Sequence, residues 1–227
     1  LHDALPILIS PMENTVYFLP NSDARQSQIY FYIPMGDYNR EENVRREAFN
    51  QYISGGFSGL IMNEIREKNS MAYTAYGFAS SCGLPGAQTY FSGYIGTQND
   101  KAVDAIDLYM KLLTDMPERP GRIDNIKSYL RQSALTDHPD SRNLSLRIAE
   151  WKRRGYTDDP AKKELPLIDS LTFPDIVDYY QKNIKGKPII IGVLGNPKDI
   201  SIDALKKFGK VIRLNEKKLF NEKDTMF

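Results

Sequence analysis

Two side chains suited to binding a peptide carbonyl lie seven positions apart in this chain. Arg66 lies near the end of a charged amphipathic segment, and Tyr73 opens an aromatic one. A guanidinium has five N–H donors and a phenol has one O–H donor, so both can hydrogen-bond a carbonyl oxygen, especially one that is becoming negative. A short turn between the two residues would direct both donors at one point.

The same two residues also have ordinary structural explanations. An arginine in the last turn of a helix interacts favourably with the helix dipole and often pairs with a nearby acid, here Glu64 or Glu67. A tyrosine at the start of a strand is commonly half-buried with its hydroxyl in water. Residue type and spacing alone therefore leave the structural alternative open.

Other catalytic arrangements lack the residues they need. The chain has two histidines, His2 and His138, and neither has a second histidine three or four positions away. Zinc needs three or four nitrogen, sulfur or oxygen ligands, so the sequence predicts no metal site in this chain. A Ser-His or Cys-His dyad is also not expected, because no histidine is available as a base in the core.

Composition limits the choice of partners. The 227 residues include 30 Lys+Arg and 29 Asp+Glu, for a net charge of +1. This balance gives no electrostatic reason to expect nucleic acid or an anionic membrane as a partner. The single cysteine, Cys82, excludes an internal disulfide and is expected to be a packed or loop thiol. A single cysteine suits both a reducing compartment and a cell-envelope protein without disulfides, so the compartment stays unknown.

Hydrophobic periodicity predicts an α+β fold with a mostly antiparallel sheet of about five to six strands and helices packed on one face. Strands are predicted at 15–19, 28–33, 72–80, 89–95, 188–194 and 211–214, with the second strand closed by 34–37. Helices are predicted at 43–53, from an N-cap at Ser58 to Lys68, and at 100–113, 122–135, 141–153, 173–183 and 202–208. The expected inward residues of the three helices after residue 99 are Val103, Ile106, Met110 and Leu113, then Ile123, Ile126 and Leu130, then Leu144, Ile148 and Trp151.

The amino-terminal residues fit none of these patterns. Residues 1–10 resemble the translation of a sequencing adaptor, and we expect them to be a non-native leader. Residues 11–227 are expected to form a single domain of a longer protein. Any export signal would then lie upstream.

The block from Gly55 to Tyr73, followed by an aromatic strand, resembles the second domain of a half-unit in the insulinase/pitrilysin family of zinc metallopeptidases. The shared residues are Gly55-Gly56, Ser58, Leu60, the run from Ile65 to Lys68, and Ala72-Tyr73. The resemblance covers roughly residues 16 to 214. Further downstream it includes the helix start at 171–176 and the strand at 190–196.

The resemblance implies a role for this chain as the carboxy-terminal domain of a zinc metalloendopeptidase. In the family, two half-units enclose a chamber, and one carries zinc on an inverted His-x-x-Glu-His motif that this chain lacks. By this resemblance Arg66 binds a substrate carbonyl, and Tyr73 stabilises the oxyanion. Gly55 and Gly56 line the substrate chamber, unless they serve only as a turn between helices.

The same resemblance implies that the chain is not active alone. It is expected to bind no cofactor itself, to pair with a zinc-bearing half in the same full-length chain or in a partner subunit, and to meet peptide substrates there. Two alternatives remain open. One is a non-catalytic structural or assembly homologue of the same fold. The other is a free-standing module that binds peptides along a sheet edge.

Overall fold

One mixed sheet of six strands organises the molecule. The computed structural model describes residues 11–137 and 139–216, without the side chain of Phe57. The sheet has the strand order β3-β4-β2-β5-β1-β6. The strands are β1 (Thr15–Pro20), β2 (Gln26–Asp37), β3 (Thr74–Ser80), β4 (Gln88–Gln98), β5 (Ile190–Gly195) and β6 (Lys210–Arg213). Three of the five strand pairs are antiparallel, and β1 lies parallel to both β5 and β6.

Helices connect and cover these strands. In the described ranges they are α1 (Asn43–Ser54), α2 (Leu60–Met62), α3 (Ala102–Thr114), α4 (Ile123–Thr136), α5 (Leu144–Arg153), α6 (Ala161–Ser170), α7 (Phe173–Asn183) and α8 (Ile202–Leu205). A π-helical turn, Asn63–Glu67, continues α2. None of these helices is long and apolar enough to cross a membrane.

The sheet buries one face against the helices, as the α+β prediction required. Along β2, Ile29, Phe31 and Ile33 are fully or almost fully buried, whereas Tyr30 on the opposite face is exposed. Side chains of a strand alternate between the two faces, so the apolar residues with odd numbers in β2 reach the helical layer. The predicted fold class is confirmed.

Strand β2 is longer than predicted. It does not close at Pro34 but continues to Asp37, with a change of register against β4 between these two residues. A proline has no N–H to give to a neighbouring strand. The pairing of β2 with β5 ends at Tyr32, so Pro34 lies where the β5 side of the strand needs no donor.

The sequence analysis missed helix α6. No element was predicted between the helices at 141–153 and 173–183, and α6 carries Pro166 in its interior. An interior proline removes one hydrogen bond and usually breaks a helix. Tertiary contacts hold this helix instead: Ile168 is buried, Lys127 Nζ donates to the Asp169 carbonyl oxygen at 2.7 Å, and Asn43 donates to Glu164 at 2.8 Å.

Some of the predicted inward faces are wrong. Ile106 and Leu113 of α3 are buried, but Val103 and Met110 are only partly buried, since the helix also packs through Ala105 and Tyr109. In α4, Ile126 and Leu130 are buried and Ile123 is partly buried. In α5 none of the three expected inward residues is buried: Leu144 and Ile148 are exposed, and Trp151 is half-buried.

Tyr109 of α3 packs the helical layer against strands β2 and β3. Its ring stacks on Phe31 with centroids 4.1 Å apart, and its hydroxyl donates to the Tyr76 carbonyl oxygen at 2.8 Å. Burial, with a smaller contribution from Tyr76, raises the pKa of Tyr109 well above its ordinary value, so the hydroxyl stays protonated and can donate. The ring fits because the strands carry glycine above it: a Cβ at Gly93 would lie 2.1 Å from the Tyr109 hydroxyl.

This close approach makes Gly93 intolerant of any side chain. We expect Gly93→Ala to lower the free energy of unfolding by about 2 kcal/mol or more, because the ring or the strand must move. Urea unfolding would measure the change. Gly36→Ala is the control, since a Cβ at that strand position meets nothing within 4 Å; its effect should stay below about 0.5 kcal/mol. Equal effects of the two substitutions would contradict this packing argument.

Candidate functional site

Arg66 lies in the π-helical turn that follows α2. The helix begins at Leu60 with Gly59 at its N-cap, so the predicted cap at Ser58 is wrong; the Ser58 hydroxyl donates to the Gly55 carbonyl oxygen instead. The π turn closes with the Lys68 amide donating to the Asn63 carbonyl oxygen at 3.0 Å. Such wide turns inside helices are frequent at functional sites.

A tight reversal of the chain joins Arg66 to Tyr73. The amide of Ser70 donates to the Arg66 carbonyl oxygen and that of Met71 to the Ile65 carbonyl oxygen, both at 2.9 Å. Ser70 has a φ of 51°, in the left-handed region that residues other than glycine rarely adopt. The reversal therefore stores some backbone strain between the two residues of interest.

The far side of this reversal is attached to the end of β4. The amide of Tyr73 donates to the Gly96 carbonyl oxygen at 2.9 Å, and the hydroxyl of Thr97, which is buried, donates to the Met71 carbonyl oxygen. Because of these bonds β3 starts at Thr74 rather than at the predicted residue 72. Tyr73 precedes the strand, and its backbone is fixed.

Arg66 and Tyr73 line the same open pocket, with a volume of about 450 Å³. The side chain of Arg66 is 45% exposed and Tyr73 is 54% exposed, so neither is sealed in the core. The other residues that line the pocket are Glu67, Ser70, Met71, Ala72, Thr97, Gln98 and Lys101. The structure thus brings together the two residues that the sequence analysis singled out.

The charges near Arg66 are arranged so that much of its guanidinium stays open. Its Nε lies 3.6 Å from the Glu67 carboxylate, which is the only ion pair of Arg66 within residues 11–137 and 139–216. The other candidate partner, Glu64, instead pairs with Arg119 and, at 2.9 Å, with Lys68. The ordinary structural explanation for Arg66, pairing with a nearby acid, is therefore met only by this 3.6 Å contact between Nε and Glu67.

Two pocket residues were not found by sequence reasoning. Gln98 ends β4, and its side-chain amide donates to the Tyr73 hydroxyl at 3.1 Å. The Lys101 ammonium lies 3.4 Å from the Ser70 carbonyl oxygen. Neither residue belongs to a recognisable motif, and only the pairing of β4 with β3 places them beside Tyr73. No local sequence signal would have identified them.

Gly55 and Gly56 lie in the turn between α1 and α2, and the described residues of the Arg66–Tyr73 pocket do not include them. A Cβ at Gly55 would lie 2.2 Å from the Gln51 carbonyl oxygen, and Gly56 has a φ of 58°. Each glycine is thus required by the local backbone, which gives the turn a sufficient explanation. Their contact with substrate stays a prediction.

The β3 edge of the sheet is partly occupied by α1. Asn50 accepts from the Ala79 amide at 2.7 Å and donates to the Ala79 carbonyl oxygen at 3.1 Å, and the Ser54 hydroxyl accepts from the Gly77 amide at 2.8 Å. A strand added to this edge would need these same backbone groups. The arrangement therefore disfavours the sheet-edge module as a function for β3.

The His, Cys, Asp and Glu residues that the structure describes form no zinc site. In the part of the chain that the structure describes, no group of three or more His, Cys, Asp or Glu residues could hold a metal ion. Both histidines, His2 and His138, lie outside the described residues. Cys82 is an exposed, free loop thiol.

A larger cavity of about 720 Å³ lies elsewhere, between the amino-terminal ends of α1 and α7 and the length of α6. Its lining is charged, but Arg45 pairs with Asp175 across it at 2.9 Å, and Arg40 donates to the Gly155 carbonyl oxygen. These groups satisfy one another and suggest no chemistry. The smaller Arg66–Tyr73 pocket is the better candidate because the side chains of Arg66 and Tyr73 that line it are about half exposed.

Residues 9–121 match the family model described as the Peptidase M16 inactive domain. The match includes the first four strands and the whole Arg66–Tyr73 reversal. This chain carries a peptidase M16 inactive domain. Inactive domains of this family pair with a catalytic half, in the same chain or in a partner.

Known proteins similar to this M16 domain include a zinc protease. The chain is 27% identical over 162 residues to an uncharacterized zinc protease of Streptomyces coelicolor, a match that covers 67% of this chain and 33% of that protein. The chain thus spans about a third of the length of this curated relative. Together with the family match, this similarity makes it an inactive domain of a zinc protease family.

Solved structures share the fold. A peptidase M16 inactive domain from Pseudomonas fluorescens has a TM-score of 0.69 at 16% identity, over 83% of this chain and 45% of that one. A chain of complex III2 from Candida albicans has a TM-score of 0.61 at 13% identity, over 83% of this chain and 47% of that one. At these identities the comparison shows the fold alone.

The strained residue of the reversal offers a direct test of its geometry. We expect Ser70→Gly to raise the free energy of unfolding by up to about 1 kcal/mol and Ser70→Val to lower it by about 1–2 kcal/mol, because a φ of 51° suits glycine and opposes a branched Cβ. Chemical denaturation would compare them. Ser141→Gly, in an exposed loop without positive φ, is the control and should not stabilise. A stabilising effect there but not at Ser70 would contradict the assignment.

Proposed function

We propose that this M16 inactive domain binds the backbone of a peptide substrate and stabilises the oxyanion formed during hydrolysis, as the auxiliary part of a zinc-dependent metalloendopeptidase. One observation carries the proposal. Arg66 and Tyr73, held on either side of a fixed reversal, line the same open pocket. Both belong to the half of the chain that matches the family model.

The two donors suit different moments of the reaction. The guanidinium of Arg66 carries a permanent charge and several N–H groups, so it can hold a substrate carbonyl before and during reaction. Tyr73 donates to the carbonyl oxygen as that oxygen becomes negative. A donor fixed in advance costs little reorganisation at that moment, which is why such contacts lower the barrier.

In this proposal the present domain does not hold the zinc. We propose that the catalytic half holds the zinc, either in the same full-length protein or in a partner subunit. The present domain then supplies no nucleophile and no general base of its own. It contributes hydrogen-bond donors and one wall of the space in which the peptide is cleaved.

The oxyanion role predicts a specific kinetic defect for Tyr73→Phe. In the complete zinc-bearing protein we expect kcat to fall about 100-fold, with KM changed less than about threefold, because the lost donor acts mainly in the transition state. Steady-state hydrolysis of a fluorogenic peptide would measure both constants. Tyr129→Phe is the matched control, since Tyr129 on α4 is also 54% exposed. Unchanged turnover by Tyr73→Phe would exclude the oxyanion role.

The carbonyl-binding role predicts a different defect at Arg66. We expect Arg66→Gln to raise KM about tenfold with a smaller effect on kcat, because a charged hydrogen bond present in both ground and transition states is lost. The same kinetic assay separates the two effects. Arg131→Gln is the control: its side chain is 50% exposed and paired with Asp169 at 2.6 Å, far along the sequence from the pocket. A normal KM for Arg66→Gln would refute this assignment.

A non-catalytic assembly subunit is the second candidate. Helix α5 favours it, because Leu146 is 69% exposed and Leu144 is 46% exposed, and no described side chain of this helix is buried. Exposed apolar clusters commonly mark protein–protein contacts. The coding sequence upstream separates the candidates: a His-x-x-Glu-His motif in the same protein or its partner favours the peptidase, and its absence from both favours assembly.

A further inference from the structure

The Tyr73 hydroxyl has a defined hydrogen-bond partner in the pocket. The side-chain amide nitrogen of Gln98 donates to this hydroxyl at 3.1 Å. Tyr73 follows the reversal and Gln98 ends the neighbouring strand, so the contact spans two separate elements. This side-chain hydrogen bond connects the end of β4 to the phenol.

Gln98 is held on a rigid backbone although its side chain is exposed. Thr97, on one side, is 1% exposed and donates to the Met71 carbonyl oxygen. Asn99, on the other, is 8% exposed; it accepts from the Ser27 hydroxyl at 2.7 Å and donates to the Ala24 carbonyl oxygen at 2.8 Å. Buried and hydrogen-bonded neighbours on both sides fix the position from which the Gln98 side chain extends.

The direction of this bond determines what the phenol can do. A tyrosine hydroxyl has one proton to donate and lone pairs that accept. Because the Gln98 amide donates a hydrogen bond to those lone pairs, the O–H group of Tyr73 remains available to donate to a substrate oxygen. Accepting one hydrogen bond also strengthens the bond that the same hydroxyl donates.

We propose that Gln98 is a positioning residue that keeps the Tyr73 hydroxyl oriented as a donor towards the substrate carbonyl. This inference rests on the proposed function of Tyr73. It assigns Gln98 no contact with substrate. Its effect on turnover passes entirely through Tyr73, and this is what separates it from a purely structural role.

Two substitutions of Gln98 test the proposal in the complete zinc-bearing protein. Gln98→Met keeps the length of the side chain and removes the donor, and we expect kcat to fall about three- to tenfold with KM unchanged. Gln98→Glu should lower kcat further, by more than about tenfold. A carboxylate only accepts hydrogen bonds, so the Tyr73 hydroxyl would donate to that carboxylate instead of to the substrate.

The chain offers a matched control for these substitutions. Gln28 lies on β2, is exposed, and its side chain accepts from the Tyr30 hydroxyl at 3.4 Å, outside the pocket lining. Gln28→Glu therefore places the same charge beside Tyr30, a tyrosine outside the pocket lining. Its kcat should stay within about twofold of the unmodified protein.

Repeating the Gln98 substitutions in a Tyr73→Phe background decides the mechanism. We expect Gln98→Met and Gln98→Glu to change kcat less than twofold there, since the hydroxyl they act on is gone. A defect that persists in that background, or normal turnover of both single variants while Tyr73→Phe is impaired, would overturn the role of Gln98 and leave the proposed function intact. Normal turnover of Tyr73→Phe itself would reject the proposed function. If Gln98→Glu fails to fold by thermal melting, Gln98→Met carries the comparison.

Discussion

The attachment of the Arg66–Tyr73 reversal to the end of β4 is the constraint on which the site depends. Ile65 is fully buried, so the π-helical turn is anchored at the position just before Arg66. On the other side, the Tyr73 amide is bound to the Gly96 carbonyl oxygen. The seven residues between Ile65 and Tyr73 join two fixed points and so have little freedom. Two long, exposed side chains therefore leave the backbone at defined places.

The packing around β3 explains why the Arg66–Tyr73 reversal is accessible while part of the backbone edge of β3 is covered. Strand β3 is an outer strand, and an outer strand normally presents unpaired backbone groups to any extended chain. Asn50 and Ser54 of α1 hydrogen-bond to those groups at Ala79 and Gly77. These backbone groups of the edge are thereby satisfied within the domain, whereas the side chains of Arg66 and Tyr73 at the corner stay about half exposed.

Much of the fold could be predicted because its signals are local. Alternating apolar residues identified the strands, and the helix predicted at 173–183 is α7, which has Thr172 at its N-cap. The candidate pair at 66 and 73 was found for the same reason: residue type, short spacing and a family motif all lie within one segment. Prediction of the elements worked where one stretch of chain contains its own explanation, and the roles of residues 66 and 73 stay predictions.

The failures involve residues whose role depends on distant partners. Pro34 was interpreted as the end of β2, yet the strand continues where its β5 neighbour has ended, and the missed helix α6 is held by contacts with α1 and α4. The apolar stripe of α5 predicted a buried face that this domain does not provide. Gln98 was missed because it lies beyond residue 95, where its strand was predicted to end, whereas β4 continues to Gln98 and brings it beside Tyr73.

The donors at the pocket fit the role proposed for them. A pocket with a guanidinium, a phenol and an ammonium supplies hydrogen bonds and positive charge. Such a pocket can bind a carbonyl and favour negative charge on its oxygen. In the proposed function, groups outside this domain start the attack that creates that charge. An inactive domain that presents fixed donors at an open corner is suited to meet those groups across the substrate.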